Sequence, residues 1–144
     1  MKRYDPSADP NGKEWLALDE GERIALVRDF HDRNEIRNPN DEAHAVIHSI
    51  VENQLAEQLP AAIAALQRLK AEGLDRHESV HAIGSVLMEH MRTLMNGARD
   101  SADPHGPYFT ALEKLTAESW RRSYAPTSRR VNPSRRRRSP TKRD

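Results

Sequence analysis

The chain contains no cysteine among its 144 residues. Disulfide bonds and thiolate metal sites are therefore excluded, and a transition metal would have to be bound through nitrogen and oxygen ligands. No apolar run approaches the roughly 18 residues that a membrane-spanning helix needs. Residues 1–6 also lack the apolar stretch of a signal peptide. We therefore expect a cytoplasmic bacterial protein with no membrane partner.

Strand signals are missing as well, since no segment alternates apolar and polar residues over several positions or carries a hairpin turn. Helix signals are frequent. Asp19 and Glu22 have capping-box spacing, Asn38-Pro39 is typical of a helix start, and Gly73 is typical of a helix end. The predicted helices cover residues 19–32, 38–59, 61–72, 76–95 and 108–122. The prediction is an all-α protein: a flexible arm (1–13), a compact bundle of about five helices (14–122) and a disordered Arg-rich tail (123–144).

Four histidines form two pairs with helical spacing. His44 and His48 are four residues apart, and so are His77 and His81. Residues at positions i and i+4 lie on the same face of a helix, with Cβ atoms about 5–6 Å apart. On a helical projection the first histidine of each pair falls inside the apolar arc of its helix and the second lies at the edge of that arc. Two such helices packed side by side would place four imidazoles in one half-buried seam.

Buried imidazoles need hydrogen-bond partners and repel one another when protonated, whereas a shared metal ion binds them in the neutral form. We therefore predict one transition metal, zinc or iron, bound by the two histidine pairs. Glu52, one turn after His48, and the inward-facing His31 are further candidate ligands. The alternative is a set of histidines that only cap helices or serve as polar core residues. His90 and His105 are expected to be exposed.

The second pair also reads HESVH at residues 77–81, which matches the H-E-x-x-H motif of zinc peptidases. In that motif two histidines bind zinc and the glutamate activates a water molecule. The sequence resembles the metzincin pattern up to its last position, where Leu87 replaces the third histidine. Glu78 is thus a candidate catalytic base of a metal-dependent hydrolase. A glutamate near a helix start is equally explained by its interaction with the helix dipole.

The segments AHAVIHSIVENQ (residues 43–54) and RHESVHAIG (residues 76–84) resemble a family of small bacterial all-helical proteins with paired His-x3-His motifs, a domain of unknown function. The resemblance covers residues 14–122. It implies an all-helical domain and a metal site at the two pairs, and it implies no reaction.

The net charge of +1 conceals two regions of opposite charge. Residues 121–144 contain ten Lys or Arg side chains and one acidic residue, which gives +9, whereas the first 120 residues contain 13 basic and 21 acidic side chains, which gives −8. A basic segment of this kind can bind phosphates in a salt-dependent manner. Tyr124 is its one aromatic residue, so the segment lacks a base-stacking platform. A non-catalytic helical module with a nucleic-acid-binding tail is therefore a further alternative.

Overall fold

The computed structural model describes residues 1–36, 40–97 and 103–123, and in these ranges every regular element is an α-helix. The all-α prediction is therefore confirmed. The described residues contain seven helices instead of five. They are α1 (Gly12–Ala17), α2 (Glu20–Arg33), α3 (Asp41–Ala56), α4 (Pro60–Ala71), α5 (Arg76–Met95), α6 (Gly106–Lys114) and α7 (Ala117–Ser123).

Two of the helices begin with a complete capping box. In α5 the Asp75 carboxylate accepts a hydrogen bond from the Glu78 backbone N–H, and the Glu78 carboxylate accepts one from the Asp75 N–H. Asp19 and Glu22 form the same arrangement at the start of α2, as predicted. Such pairs satisfy N–H groups that have no partner within the helix. The start of α3 differs from the prediction because Asn40 is its N-cap. Asn38 and Pro39 lie outside the described residues.

The helix predicted over residues 108–122 is divided into α6 and α7. Leu115 has an extended backbone, and the Thr116 and Ser119 side chains cap the start of α7. The guanidinium of Arg68 donates hydrogen bonds to the carbonyls of Leu112 and Leu115, with N–O distances of 2.6–3.2 Å. The chain can therefore leave the helix here, because side chains replace the missing backbone hydrogen bonds.

Helix α3 contacts α1, α2, α4 and α5, and helix α5 contacts α3, α4, α6 and α7. One apolar cluster is formed mainly by α3–α7, and a second, smaller one is formed by Tyr4, Trp15, Val27 and Ala45. Gly84 permits the close crossing of α3 and α5, because a Cβ atom there would lie only 3.1 Å from Cγ2 of Ile47.

The segment before α1 contributes to the core. Tyr4 is 2% exposed, and Pro6 is also fully buried. A flexible arm was predicted over residues 1–13, whereas Tyr4 and Pro6 are packed into the core. At the other end, residues 124–144 of the predicted Arg-rich tail lie outside the described part of the chain. Within the described ranges, no helix is both long and apolar enough to cross a membrane.

Candidate metal centre

Five histidines from three helices lie together, and we call them the histidine cluster. His31 comes from the last turn of α2, His44 and His48 from the first half of α3, and His77 and His81 from the start of α5. Ring centroids are 4.2 Å apart for His77 and His81 and 4.6 Å apart for His44 and His81. The two pairs predicted from spacing therefore meet, with His31 between them.

The end of α2 fixes the position of His31. The backbone carbonyl of His31 accepts a hydrogen bond of 2.9 Å from the Ile36 N–H, and Glu35 adopts a left-handed conformation with φ of 56°. This closes the helix in the manner of a Schellman motif. The imidazole is oriented separately, because its Nδ1 lies 2.9 Å from the Val27 carbonyl oxygen. A carbonyl only accepts, so Nδ1 carries the proton and Nε2 of neutral His31 is unprotonated.

Three Nε2 atoms converge at distances that suit a shared ligand. Nε2 of His44 lies 3.3 Å from Nε2 of His31 and 3.2 Å from Nε2 of His81. Nitrogens arranged tetrahedrally around zinc at about 2.0–2.1 Å lie about 3.3–3.4 Å from one another. His48 completes a group of four in which one ring nitrogen of each residue lies within 4.8 Å of the others. Four histidines are thus close enough to bind a metal ion.

Separate two-centre hydrogen bonds between neutral rings cannot satisfy both of these short contacts. Because Nε2 of His31 is unprotonated, His44 must donate to it through its own Nε2–H. That nitrogen then has no free lone pair with which to accept a proton from His81. If His44 instead accepts a hydrogen bond from His81, the Nε2 atoms of His44 and His31 both lack a proton and lie only 3.3 Å apart. A cation between the three lone pairs removes the conflict.

Burial also favours the neutral, metal-binding form of the rings. Desolvation, followed by the neighbouring His31, lowers the pKa of His44 to about 4. The same two causes lower the pKa of His77 to about 4. Desolvation and then His77 lower the pKa of His81 to about 2. The pKa values of His31 and His48 are lowered too, in each case mainly by burial. The cluster therefore presents lone pairs rather than protons at neutral pH.

Two ring nitrogens of the cluster are buried and have no hydrogen-bond partner: Nδ1 of His48 and Nε2 of His77. The other nitrogen of His48, Nε2, lies 2.8 Å from the Tyr4 hydroxyl. Native proteins rarely leave buried polar atoms unpaired, so two unpaired ring nitrogens in one cluster point to a ligand that binds them. His48 therefore retains one buried, unpaired donor nitrogen, Nδ1, within the cluster.

The other predicted site residues have different partners. His77 belongs to the cluster but lies outside the group of four, in which His31 takes its place. Glu52 is 1% exposed and forms a double ion pair with Arg76, with N–O distances of 2.8 and 2.9 Å. Glu78 is exposed, and its carboxylate is used in the capping box of α5. The position of Glu78 gives no support to its candidate role as a catalytic base.

Outside the cluster, His90 was expected to be exposed, but it is only 8% exposed. His90 stacks on the Tyr108 ring, with centroids 5.5 Å apart. His105 is exposed, as expected.

Two residues next to the cluster were missed by sequence reasoning. Tyr4 connects His48 to Glu52, since its hydroxyl hydrogen-bonds both side chains. Arg76, which is 4% exposed, neutralises Glu52. The one available signal was Glu52 itself, because a carboxylate on the apolar side of a helix requires a buried partner. Nothing in the spacing identified Tyr4 as that partner, since it lies 48 residues away.

The fold and the site together define an all-helical protein with a histidine cluster that could hold a metal ion. The four nitrogen donors are neutral, and no carboxylate belongs to the group. Such a set suits zinc, iron, cobalt, nickel or copper better than calcium or magnesium. No family model matches the chain, and neither a curated protein nor a solved structure matches it.

Proposed function

We propose that this protein binds one transition metal ion, zinc or iron, through His31, His44, His48 and His81. The observation that carries the proposal is the convergence of three Nε2 atoms at 3.2 and 3.3 Å, distances that suit nitrogens sharing one metal ion and that two separate hydrogen bonds between neutral rings cannot produce. His77, whose Nε2 is buried and unpaired, is available as a fifth ligand or as a hydrogen-bond partner of a further ligand. Membership of the helical family with paired His-x3-His motifs remains part of this proposal.

The all-imidazole site favours binding over hydrolysis as the function of the metal. A zinc peptidase of the H-E-x-x-H type needs its glutamate beside the metal-bound water. In this chain Glu78 is exposed and paired with the Asp75 backbone, while the neighbouring Glu52 is neutralised by Arg76. No carboxylate is thus left in the group of four to act as a base. We therefore propose a structural or transport-type metal site.

Metal analysis of protein produced without a His-tag tests this proposal. The protein is stripped with a chelator, reconstituted with Zn²⁺ or with Fe²⁺ under anaerobic conditions, and freed from unbound metal. We expect about one ion per chain. The variants His44→Ala and His81→Ala each remove one of the converging nitrogens and should retain much less metal.

The matched control is His105→Ala, which removes an exposed histidine outside the cluster and should keep the parent stoichiometry. Co²⁺ provides a second measurement, because four nitrogen donors in a tetrahedral arrangement give intense visible absorption bands. Failure of the parent to retain any of these ions, or full retention by both cluster variants, would refute the proposal.

A further inference from the structure

The buried hydrogen-bond chain behind His48 carries an inference that rests on the proposed metal function. We propose that Tyr4 is a positioning residue of the metal site: it holds His48 in the tautomer that presents Nδ1 to the ion. The site would then combine one Nδ1 ligand, from His48, with three Nε2 ligands, from His31, His44 and His81. The N-terminal segment would thereby help to determine metal affinity.

The direction of the hydrogen bonds supports this assignment. The Glu52 carboxylate faces the guanidinium of Arg76 with both oxygens, so it can only accept. The single hydroxyl hydrogen of Tyr4 must therefore be donated to Glu52. Towards His48 the Tyr4 oxygen then acts as an acceptor, and Nε2 of His48 must carry a proton across the 2.8 Å contact. The lone pair of neutral His48 is consequently on Nδ1.

The Tyr4 phenol is thus a donor to Glu52 and an acceptor for His48. In many metal sites a carboxylate hydrogen-bonds the second nitrogen of a metal-bound histidine and thereby fixes the ring tautomer. In this chain a phenol lies between the carboxylate and the histidine and fixes the tautomer in the same way.

Several contacts hold the N-terminal segment in place around Arg76. The guanidinium donates to the Pro6 carbonyl at 3.0 Å and to the Asp9 carboxylate at 2.7 Å, in addition to its ion pair with Glu52. The Tyr4 ring packs against Trp15, with centroids 5.4 Å apart, and edge-on against His48. The phenol therefore has one orientation, which a positioning residue requires.

The tautomer can be measured directly by NMR on the full-length protein loaded with Zn²⁺. Long-range ¹⁵N–¹H correlation spectra distinguish a metal-bound Nδ1 from a metal-bound Nε2 in each imidazole. We expect Nδ1 coordination for His48 and Nε2 coordination for His31, His44 and His81. Zinc binding in which His48 coordinates through Nε2, or does not coordinate at all, would overturn the inference and leave the proposed metal function standing. Absence of bound zinc would overturn both.

The variant Tyr4→Phe keeps the ring and its packing but removes the hydroxyl. We expect zinc affinity to fall by about 10–100-fold, as for other outer partners of metal-bound histidines. The His48 signals should also lose their fixed Nε2–H tautomer. The matched control is Tyr108→Phe, which removes another buried tyrosine hydrogen bond, 2.7 Å to Gln54, outside the cluster. Equal zinc affinity in Tyr4→Phe and Tyr108→Phe would contradict the inference. If Tyr4→Phe does not fold, the spectrum of the parent still decides the question.

Discussion

Acidification of the metal-free protein should reveal how strongly the histidine cluster is desolvated. The pKa values of His44 and His77 lie near 4 in the folded chain, against about 6.5 in an unfolded chain. Below about pH 6.5 the unfolded state therefore binds protons that the folded state does not accept. Stability should be complete above the unfolded pKa and should decline as the pH falls towards the folded pKa, because protons then favour unfolding.

The expected loss is large for a protein of this size. A fully desolvated ring with a pKa of about 4 instead of about 6.5 would contribute about 3 kcal/mol, and the partial exposure of His44 and His77 reduces this to about 1–2 kcal/mol each. Even this reduced loss is a substantial share of the total stability of a typical small domain, which is about 5–15 kcal/mol. His81, whose pKa is lowered to about 2, adds to the loss in the same direction. The metal-free protein should therefore lose much of its stability at mildly acidic pH.

Urea unfolding followed by circular dichroism measures this effect on chelator-treated protein at a series of pH values from about 7 to 4.5. We expect the urea midpoint to fall steadily below about pH 6.5. His44→Gln removes one desolvated imidazole and should weaken the pH dependence, whereas His105→Gln removes an exposed imidazole and should not. An unchanged midpoint between about pH 7 and 4.5 would show that the cluster is hydrated and that the reasoning is wrong.

Three further predictions concern individual side chains. Gly84→Ala should weaken metal binding, because the added Cβ would lie 3.1 Å from Cγ2 of Ile47 and a shift of a few tenths of an ångström is needed where α3 and α5 cross. A Zn²⁺ titration checks this, and parent-like affinity would contradict it. Glu78→Gln should leave both zinc content and melting temperature near the parent values, because glutamine also completes a capping box. If the parent hydrolyses a peptide and this variant does not, the hydrolase alternative is favoured instead. Tyr4→Ala should destabilise the protein by about 3–5 kcal/mol, as for other large buried aromatic residues; a loss below about 1 kcal/mol in urea unfolding would show that the N-terminal segment is not docked.

The helices were predictable where the chain signals them locally. The boundaries of α2 and α5 follow from capping boxes that begin at Asp19 and Asp75, and the end of α4 follows from Gly73, which has φ of 107°. The division between α6 and α7 has both kinds of cause. Thr116 and Ser119 cap the start of α7 locally, whereas the Leu115 carbonyl is satisfied by Arg68 of α4, a contact that spans 47 residues.

For the candidate site too, local features could be predicted from the sequence, whereas contacts between distant segments could not. Helical periodicity predicted that each histidine pair lies on or beside the apolar face of its helix, and the two pairs do meet. Periodicity could not decide which ring nitrogens converge, because the side-chain conformations and the crossing of α3 and α5 determine that. His31 therefore joins the group of four, while His77 lies outside it. Glu52, predicted as a candidate ligand, is instead paired with Tyr4 and Arg76, which come from distant segments.

The position of the cluster explains why the fold would depend on a metal. The histidines lie on α2, α3 and α5; α2 contributes to the smaller apolar cluster around Trp15, α5 to the larger one around Ile83, and α3 to both. Polar rings at such a junction supply little of the apolar contact that joins two halves of a core, and their desolvation opposes folding. An ion bound by side chains from three helices would replace that missing contact. Its binding free energy would then contribute directly to folding, because the unfolded chain has no preformed site.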